Sequence, residues 1–395
     1  MKNKRIPDIR FPGYTGNWER RKLDKILKER KVNQKITKEV PLLAFAAGQG
    51  VIDRSERKTN NRDFLTKDAT KKTYLLTKYD DIVYNPSNLK YGAIDRNKHG
   101  QGVISPIYVT FETDEIPSFI ELIVKSENFK QRALQYEEGT VTKRQSVKPE
   151  NLLCLNIVLP NSKDEQMKIG DFFKQLDDII ALHQNELTSL KETKQGFLQK
   201  MFPKEGESVP EIRFPEFTGD WEQHKFSNIV NRVSKQSNDA NLPKVEFEDI
   251  ISGEGRLNKD ISQKLDDRKG IVFEPDFILF GKLRPYLKNW LFPNFKGIAL
   301  GDFWVFETNN SSSIFTYYLI QTDKYQIVAN LSSGTKMPRS DWKTVSETEF
   351  RVPTIDEQEK IGNFFKQMDD MIALQQRELD ALKETKKAFL QRIFI

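Results

Sequence analysis

The sequence has few of the residues on which metal sites and secreted scaffolds depend. Among 395 residues there are one cysteine, Cys154, and three histidines, His99, His183 and His224. A single cysteine excludes a disulfide framework, and so few cysteines and histidines leave no zinc cluster. No apolar run approaches the ~18 residues of a membrane span, and the basic first residues lead into no signal-peptide core. We therefore expect a cytoplasmic protein that contacts no membrane and holds no metal.

Sequence motifs for catalysis are also missing. There is no phosphate-binding loop of the Gly-x4-Gly-Lys-Ser/Thr type and no Gly-x-Ser-x-Gly nucleophile elbow. Gly48-Gln49-Gly50 is too short for a cofactor loop and is typical of a turn. Asn85-Pro86-Ser87-Asn88 is similar to the Asn-Pro-Pro-aromatic box of adenine methyltransferases, but it lacks the second proline and the aromatic that stacks on a flipped base. We predict no catalytic residues in this chain.

Two short segments have the Glu-x-Lys spacing of some nucleases: Glu192-Thr193-Lys194 and Glu384-Thr385-Lys386. Both lie in stretches with helical periodicity. Glu–Lys pairs at such spacing commonly support a solvent-facing helix surface. We expect that role for them rather than catalysis.

Composition indicates an ordered protein with a basic first part. Hydrophobic residues make up 37% of the chain, charged residues 30%, and there are 27 phenylalanines, which excludes a disordered protein. The length predicts two to three domains. The net charge is +6, with 30 Lys+Arg against 20 Asp+Glu in residues 1–160 and 33 against 37 in the remainder. If the chain binds nucleic acid, the first part should supply more of the salt-dependent attraction.

An internal duplication is the strongest feature of the sequence. The segment 7–19 reads PDIRFPGYTGNWE and returns at 210–222 as PEIRFPEFTGDWE; we call these two segments the tags. A longer match joins residues 164–202 to 356–394, with 27 of 39 positions identical. Between these blocks the similarity nearly vanishes. A period near 200 residues indicates duplicated domains rather than a solenoid.

The longer repeats have the heptad spacing of a coiled coil. Each follows a proline and an acidic stretch suited to a helix N-terminus. Two such helices in one chain most simply pack on each other; either direction is possible, and an antiparallel pair would bring His183 close to Gln375 and would space two domains apart by a rod of roughly 50 Å. We read the two polar residues as setters of register. The seam residues are Ile169, Leu176, His183, Leu190 and Phe197 in the first helix and Ile361, Met368, Gln375, Leu382 and Phe389 in the second.

The two divergent stretches, residues 20–160 and 222–353, are called the first and second body. β-rich runs at 81–84, 104–111, 277–280 and 303–306 and helical stretches at 117–135 and 312–331 predict mixed α/β (α+β) domains. We divide the chain into a first domain (1–160), a central helix (161–203), a linker (204–210), a second domain (211–353) and a distal helix (354–395).

Candidate binding residues occur at equivalent places in the two bodies. One loop follows a β-rich run (residues 84–92 and 281–290), and a later loop carries Gly-Thr with an arginine five positions after the glycine (139–146 and 334–340). Arginine and lysine suit guanine edges, asparagine and glutamine suit adenine edges, and all of them can also hold phosphate. The candidates are Asn88, Lys90, Tyr91, Lys143, Arg144, Lys282, Arg284, Tyr286, Lys288, Lys336 and Arg339.

Taken together, the tags, the paired loops and above all the duplicated helices resemble the specificity subunit of type I restriction-modification enzymes. The helices carry Gln175-Leu176-Asp177-Asp178 and Gln367-Met368-Asp369-Asp370, each continued by Leu-Lys-Glu-Thr-Lys. The resemblance implies a non-catalytic DNA reader, with two target-recognition domains that each bind one half of a split site on double-stranded DNA. It implies an antiparallel coiled-coil spacer between them with pseudo-twofold symmetry.

The resemblance also implies partners. Two methylation subunits would bring S-adenosylmethionine and adenine chemistry, two restriction subunits would bring ATP and Mg²⁺ chemistry, and this chain itself would bind no cofactor. Two other hypotheses stay open at this point: a methyltransferase or nuclease with its own active site, against which the missing motifs argue, and a coiled-coil scaffold without DNA function.

Overall fold

A computed structural model describes residues 6–56, 72–139, 145–262, 264, 266–331 and 337–394. The chain forms two compact units: Met1–Leu182 together with Leu379–Ile395, and His183–Glu378. Each unit therefore contains one body and a part of each long helix. Among the residues that the structure describes, no helix is long and apolar enough to cross a membrane.

In its described residues the first body has short strands and three small helices, and it leads into the first long helix. Its elements are β1 (Glu19–Lys22), β2 (Leu27–Glu29), β3 (Asn33–Gln34), β4 (Leu43–Ala46), β5 (Gly50–Asp53), β6 (Tyr74–Thr77), β7 (Ile82–Tyr84), β8 (Ile94–Arg96), β9 (Gly102–Ile104), β10 (Val109–Thr113), α1 (Pro117–Val124), α2 (Glu127–Leu134), α3 (Pro149–Leu153), β11 (Asn156–Leu159) and α4 (Lys163–Lys200).

The second body has a similar order of elements. They are β12 (Glu222–Lys225), α5 (Phe226–Ile229), β13 (Val230–Val233), β14 (Gln236–Ser237), β15 (Lys244–Val245), β16 (Ile250–Ile251), β17 (Arg256–Leu257), β18 (Gly270–Phe273), β19 (Ile278–Gly281), β20 (Trp290–Leu291), β21 (Gly297–Ala299), β22 (Phe303–Thr308), α6 (Ser313–Leu319), α7 (Asp323–Ala329), α8 (Trp342–Glu347), β23 (Glu349–Val352) and α9 (Ile355–Ile393).

The two bodies share their sheet topology although their sequences have diverged. The strand order β2-β10-β7-β8 in the first body matches β13-β22-β19-β20 in the second, and the pair β1-β11 matches β12-β23. A further sheet, β3-β6-β9, matches β14-β18-β21, to which β15 adds a parallel strand. The predicted mixed α/β fold is confirmed.

Two sequence predictions of single elements were wrong in detail. The run at 104–111 is not one strand, because a turn in which Tyr108 N donates to Ser105 O separates β9 from β10. The helical stretches at 117–135 and 312–331 are each two helices. Ser126 and Thr322 break them by capping the second helix with a side-chain oxygen, which accepts from Phe129 N and Tyr325 N respectively. Gly48-Gln49-Gly50 is a hairpin turn, as predicted, with Gly48 at φ +81°.

Each tag is a turn whose arginine binds the start of a long helix. In the first unit Arg10 donates to Gly16 O (2.6 Å) and, through Nε and Nη2, to Glu165 at 2.6 and 2.8 Å. The turn needs a glycine because Gly16 has φ +87°. Trp18 is buried beside this pair and donates to Glu165 at 3.2 Å. The hydrogen bond to Glu165 raises the pKa of Arg10.

The second unit repeats this arrangement almost atom for atom. Arg213 donates to Gly219 O at 2.6 Å and to both carboxylate oxygens of Glu357 at 2.7 Å. One contact differs: within the described residues, the buried indole N–H of Trp221 has no hydrogen-bond partner. The tag is thus a docking element for the helix, which explains why its residues recur.

A buried glutamine in each long helix ties the helix to its body. Gln166 Oε1 accepts from Ile116 N at 3.1 Å, at the start of α1, while its Nε2 donates to Pro160 O at 2.9 Å. Gln358 does the same with Ser312 N (2.9 Å) and Pro353 O (2.8 Å). Each side chain satisfies a backbone N–H that a helix start leaves without an intrahelical acceptor.

The long helices run antiparallel within the first unit. Phe172 of α4 contacts Phe389 of α9 with ring centroids 5.2 Å apart, and further along α4 Asp177 accepts from Lys386. The residue numbers rise along α4 as they fall along α9, which is the antiparallel direction.

The second unit shows the same direction and a polar pair in the seam. Phe197 meets Phe364 at 5.1 Å, and Gln375 Nε2 lies 2.8 Å from His183 Nδ1, as the antiparallel alternative predicts. A second set of residues with heptad spacing lies beside the predicted seam, and its members are more deeply buried. Ile169, Ile361 and Met368 are buried; Leu176, His183, Leu190, Phe197, Gln375, Leu382 and Phe389 are half-buried; and Phe173, Leu187, Phe365, Ile372, Leu379 and Ile393 are buried in the second set.

Candidate nucleic-acid interface

In the second body the structure joins the two loops that the sequence singled out. Arg284 N donates to Pro338 O, and Ser340 N donates to Lys282 O, each at 2.8 Å. Leu283 and Arg339 form an isolated antiparallel bridge between the same loops. Residues more than 50 positions apart in the sequence therefore present one continuous surface.

Asp302 organises the cations of this surface. It lies just before β22, and its two carboxylate oxygens face Arg339 Nη2 at 3.1 Å and Lys282 Nζ at 3.7 Å. One acidic side chain thus holds together two of the predicted binding residues. In a partly exposed site such a cluster fixes direction more than it adds stability.

Arg284 and Lys288 flank a 3-10 turn, Pro285–Leu287, at the tip of the first loop. Both are left-handed, with φ +49° and +54°, a conformation that costs a non-glycine residue on the order of 1 kcal/mol. The tip is held in place because Leu287 O accepts from Ser252 Oγ and Lys288 O accepts from Gly253 N. Tyr286, between the two cations, is 55% exposed. The loop therefore presents Arg284, Tyr286 and Lys288 outward from a constrained backbone.

The first body places its loops in the same relation with different chemistry. Asn85 begins the 3-10 turn Pro86–Tyr91, and its Oδ1 accepts from Ser87 N at 3.0 Å. Pro86 O accepts from Val147 N at 3.0 Å, which is the counterpart of the Ser340–Lys282 bond. Asn88 is exposed, and Lys90 Nζ lies 5.5 Å from the ring centre of Tyr91.

Tyr84 supports this junction from beneath. It is fully buried at the end of β7, where its hydroxyl donates to Val147 O at 3.2 Å. Burial raises the pKa of Tyr84, which keeps the hydroxyl protonated and able to donate. Of the other predicted binding residues, Lys143, Arg144 and Lys336 lie outside the described residues.

One sequence expectation on the helices is corrected. Lys194 is not on a solvent-facing surface: it is 9% exposed, donates to Asp369 at 2.6 Å and lies 5.2 Å from the Tyr318 ring. The reason is that Tyr318 of α6 packs over this stretch of the helix pair. Lys386, its equivalent in the first unit, is half-buried against Asp177.

Sequence reasoning also missed residues that organise the site. Asp302 belongs to no repeated motif, and only its position next to a β-rich run could have drawn attention to it, whereas Tyr84 lies in the recurring loop but was not singled out. Among the described residues there is no group of three or more His, Cys, Asp or Glu side chains that could hold a metal ion. The described loops present cations, amides and aromatics.

Comparisons with known proteins agree with this reading. Residues 219–384 match the family model of the type I restriction modification DNA specificity domain. Two curated relatives from Methanocaldococcus jannaschii are the MjaVIII specificity subunit, 22% identical over 249 residues, and the putative MjaX specificity subunit, 22% identical over 281 residues. These alignments cover 58% and 67% of this chain and 58% and 64% of the relatives, so the chain spans somewhat less than two thirds of their length.

Solved structures share the fold over the whole chain. The type I system S subunit from M. genitalium matches with a TM-score of 0.62 at 16% identity, covering 99% of both chains. A chain from a structure of type I restriction-modification complex assembly matches with a TM-score of 0.53 at 13% identity, covering 95% of this chain and 97% of the other. With its duplicated tags and helices and its two bodies of one topology, the chain is similar in sequence and fold to specificity subunits of type I restriction-modification systems.

Proposed function

We propose that this chain is the sequence-specific DNA-binding subunit of a type I restriction-modification complex, and that each body reads one half of a bipartite DNA site. The five segments given by the sequence then have roles: two target-recognition domains (1–160 and 211–353), two spacer helices (161–203 and 354–395) and a linker (204–210). The chain works in the cytoplasm, where its DNA is.

The observation that carries the proposal is the recurrence of one loop junction in two divergent bodies. In both bodies, a backbone hydrogen bond of about the same length joins the loop after β7 or β19 to a later part of the body. Val147 N donates to Pro86 O in the first body, and Ser340 N donates to Lys282 O in the second. The backbone of the junction is alike in the two bodies, whereas its side chains are amides and aromatics in the first body and cations in the second. That is the pattern expected when two domains read different bases through the same backbone.

The chain acts without chemistry of its own. Two methylation subunits supply S-adenosylmethionine-dependent adenine methylation, and two restriction subunits supply ATP- and Mg²⁺-dependent cleavage. The tags and helices, which are similar in sequence in the two units, suit docking of two copies of one partner. Incubating the purified chain alone with DNA and labelled S-adenosylmethionine tests this part, since methyl transfer would refute it.

Mapping methylated adenines in the genome of a host that expresses the complete system tests the reading function. The expected result is one split, asymmetric motif with a fixed gap. A hybrid chain whose second body comes from a relative should change one half of the motif only. A motif that stays whole in the hybrid, or changes in both halves, would contradict the assignment of one half-site to each body.

A further inference from the structure

The first body contains a pocket beside the loop that carries Asn88 and Tyr91. Its volume is about 380 Å³, and it lies where the β4–β5 hairpin faces the loop after β7. The residues that give it its character are Phe45, Gln49, Asn85, Asn88, Tyr91 and Tyr108; we call it the amide pocket. Its size is that of sites that enclose a small organic group rather than of a surface that touches an edge.

A buried amide lies in the wall. Asn85 is 7% exposed, and its Oδ1 already accepts from Ser87 N. Its Nδ2 group is not among the buried atoms of the described residues that lack a partner, so it stays accessible to a ligand or to water in the pocket. Asn88 and Gln49, both exposed, add two more amides to the wall. Three amides can donate to and accept from one neutral ligand.

The charges disfavour a phosphate as the ligand. Among the described residues no lysine or arginine lines the pocket, whereas Glu56 does. Lys90 lies beside the Tyr91 ring but is not a lining residue. A carboxylate only accepts hydrogen bonds when ionised, so it repels phosphate and suits an amino group.

Aromatic rings complete the site. Phe45 and Tyr108 are buried with ring centroids 5.5 Å apart, and Tyr91 is 69% exposed and free to lie over an entering ring. Proteins that bind a base displaced from the stack place amides against the edge of the base, a carboxylate against its amine and aromatic rings over its face.

We infer that the amide pocket receives a nucleobase carrying an exocyclic amine, adenine or cytosine, that has left the base stack of the target DNA. The inference deepens the proposed function, on which it rests, by adding to the first body a contact to a whole base rather than to its edge. Glu56 and the amide oxygens accept from the amine, Asn85 Nδ2 donates to a ring nitrogen or carbonyl, and Tyr91 covers the face.

Mismatch scanning tests the inference on the assembled complex. At a mismatch, a base that is extruded no longer has to be unpaired, so the complex binds the mismatched duplex more tightly. If the base is instead read by its edge in the duplex, a mismatch lowers the affinity of the complex. The dissociation constant is measured for duplexes mismatched at each position of the first half-site. We expect one position, outside any methylated adenine, at which a mismatch tightens binding roughly tenfold or more.

Variants assign that gain to the pocket. Asn85→Ala removes the amide donor; because Asn85 also caps a turn, Tyr91→Ala, on the exposed rim, serves as the second variant. Both should abolish the gain at that position and leave intact any gain at an adenine that the methylation subunit itself extrudes. Tyr79→Ala, an exposed tyrosine of the first body outside the pocket lining, is the matched control and should leave the gain unchanged.

Other outcomes distinguish a failure of the proposed function from a failure of the pocket assignment. A complex with no sequence-specific binding would overturn the proposed function itself. Specific binding without any mismatch gain in the first half-site, or a gain that survives both variants, would overturn the pocket assignment alone. The ligand of the pocket could also be a free nucleoside, which titration with adenosine and cytidine followed by saturation-transfer NMR tests. Nucleoside binding that Asn85→Ala abolishes, in a complex without a mismatch gain, would overturn DNA as the source of the base.

Discussion

The two loop junctions differ in how they hold the side chains that the sequence predicts to bind. In the second body Asp302 bridges Lys282 and Arg339, and the left-handed Arg284 and Lys288 point out of a constrained tip. In the first body the junction presents Asn88 and Tyr91 beside a pocket instead, although residues 1–160 carry the larger positive charge. The overall charge of a body therefore does not match the charge of its loop junction: the first body is the more basic, but its junction is the more neutral.

The parts around the junctions differ far less. Arg10–Glu165 and Arg213–Glu357 repeat to within about 0.1 Å in their bonded distances, and Gln166 and Gln358 make the same pair of bonds. Under the proposed function, a scaffold that docks the same partner twice keeps its contacts, whereas a surface that reads different bases does not. The predictions below separate these two classes of residue.

The largest expected effect comes from shortening the scaffold. Deleting one heptad from each helix, 184–190 and 376–382, preserves the pairing of the helix ends and removes about 10 Å. We expect the preferred gap to shorten by roughly three base pairs, because base pairs stack ~3.4 Å apart. Affinity for the parental site should fall roughly 10³-fold, since only one half-site can then be engaged.

Selection of binding sites from a randomised pool measures the gap. A deletion of 184–190 alone, which leaves the helices unequal, is the matched control and should impair assembly rather than shift the gap. Recovery of the parental gap with the double deletion would refute the spacer role.

The next effect distinguishes the two tags. Arg213→Ala leaves the buried carboxylate of Glu357 without a partner, which should lower the free energy of unfolding by about 3–5 kcal/mol. Arg10→Ala should cost about 1.5 kcal/mol less, because Trp18 still donates to Glu165, whereas Trp221 makes no such bond among the described residues.

Urea unfolding followed by far-UV circular dichroism gives both values. Arg20→Ala, on the exposed face of β1, should leave the unfolding free energy within about 0.5 kcal/mol. Equal losses for Arg10→Ala and Arg213→Ala would show that the indole bond contributes nothing.

Much of this scaffold could be predicted from the sequence and little of the recognition surface could. The heptads predicted the helices, because periodicity is a local property, and the contact of His183 with Gln375 was predicted only for the antiparallel alternative. The role of Gln166 or of Asp302 depends on which distant backbone lies opposite, and neither residue is marked by periodicity. The loop pairs were located because they recur, but the bridging carboxylate was missed because the first body has no equivalent that the repeat could reveal.

At the reading surface, Arg284→Ala should impair recognition of the second half-site only. A bidentate contact to a base contributes about 1–3 kcal/mol of discrimination, and the constrained backbone at Arg284 orients the side chain in advance. Anisotropy titrations with duplexes altered in one half-site at a time measure the loss. Arg284→Lys keeps the charge and serves as the control; an equal loss on all DNA sequences would assign Arg284 to phosphate instead.

The smallest predicted difference concerns two lysines that are equivalent in the repeat but unequal in burial. Lys194 donates to Asp369 beneath Tyr318, whose hydroxyl donates to the same carboxylate at 2.8 Å, whereas Lys386 reaches a half-exposed Asp177. Lys194→Met should lower the unfolding free energy by about 1–3 kcal/mol, since a partly buried carboxylate loses its cation, and Lys386→Met by about 0–1 kcal/mol, as for a surface pair. Differential scanning calorimetry of the two variants gives the comparison. Equal losses would mean that Tyr318 does not shield the pair from water, and that the two units are alike in stability as well as in sequence along their helices.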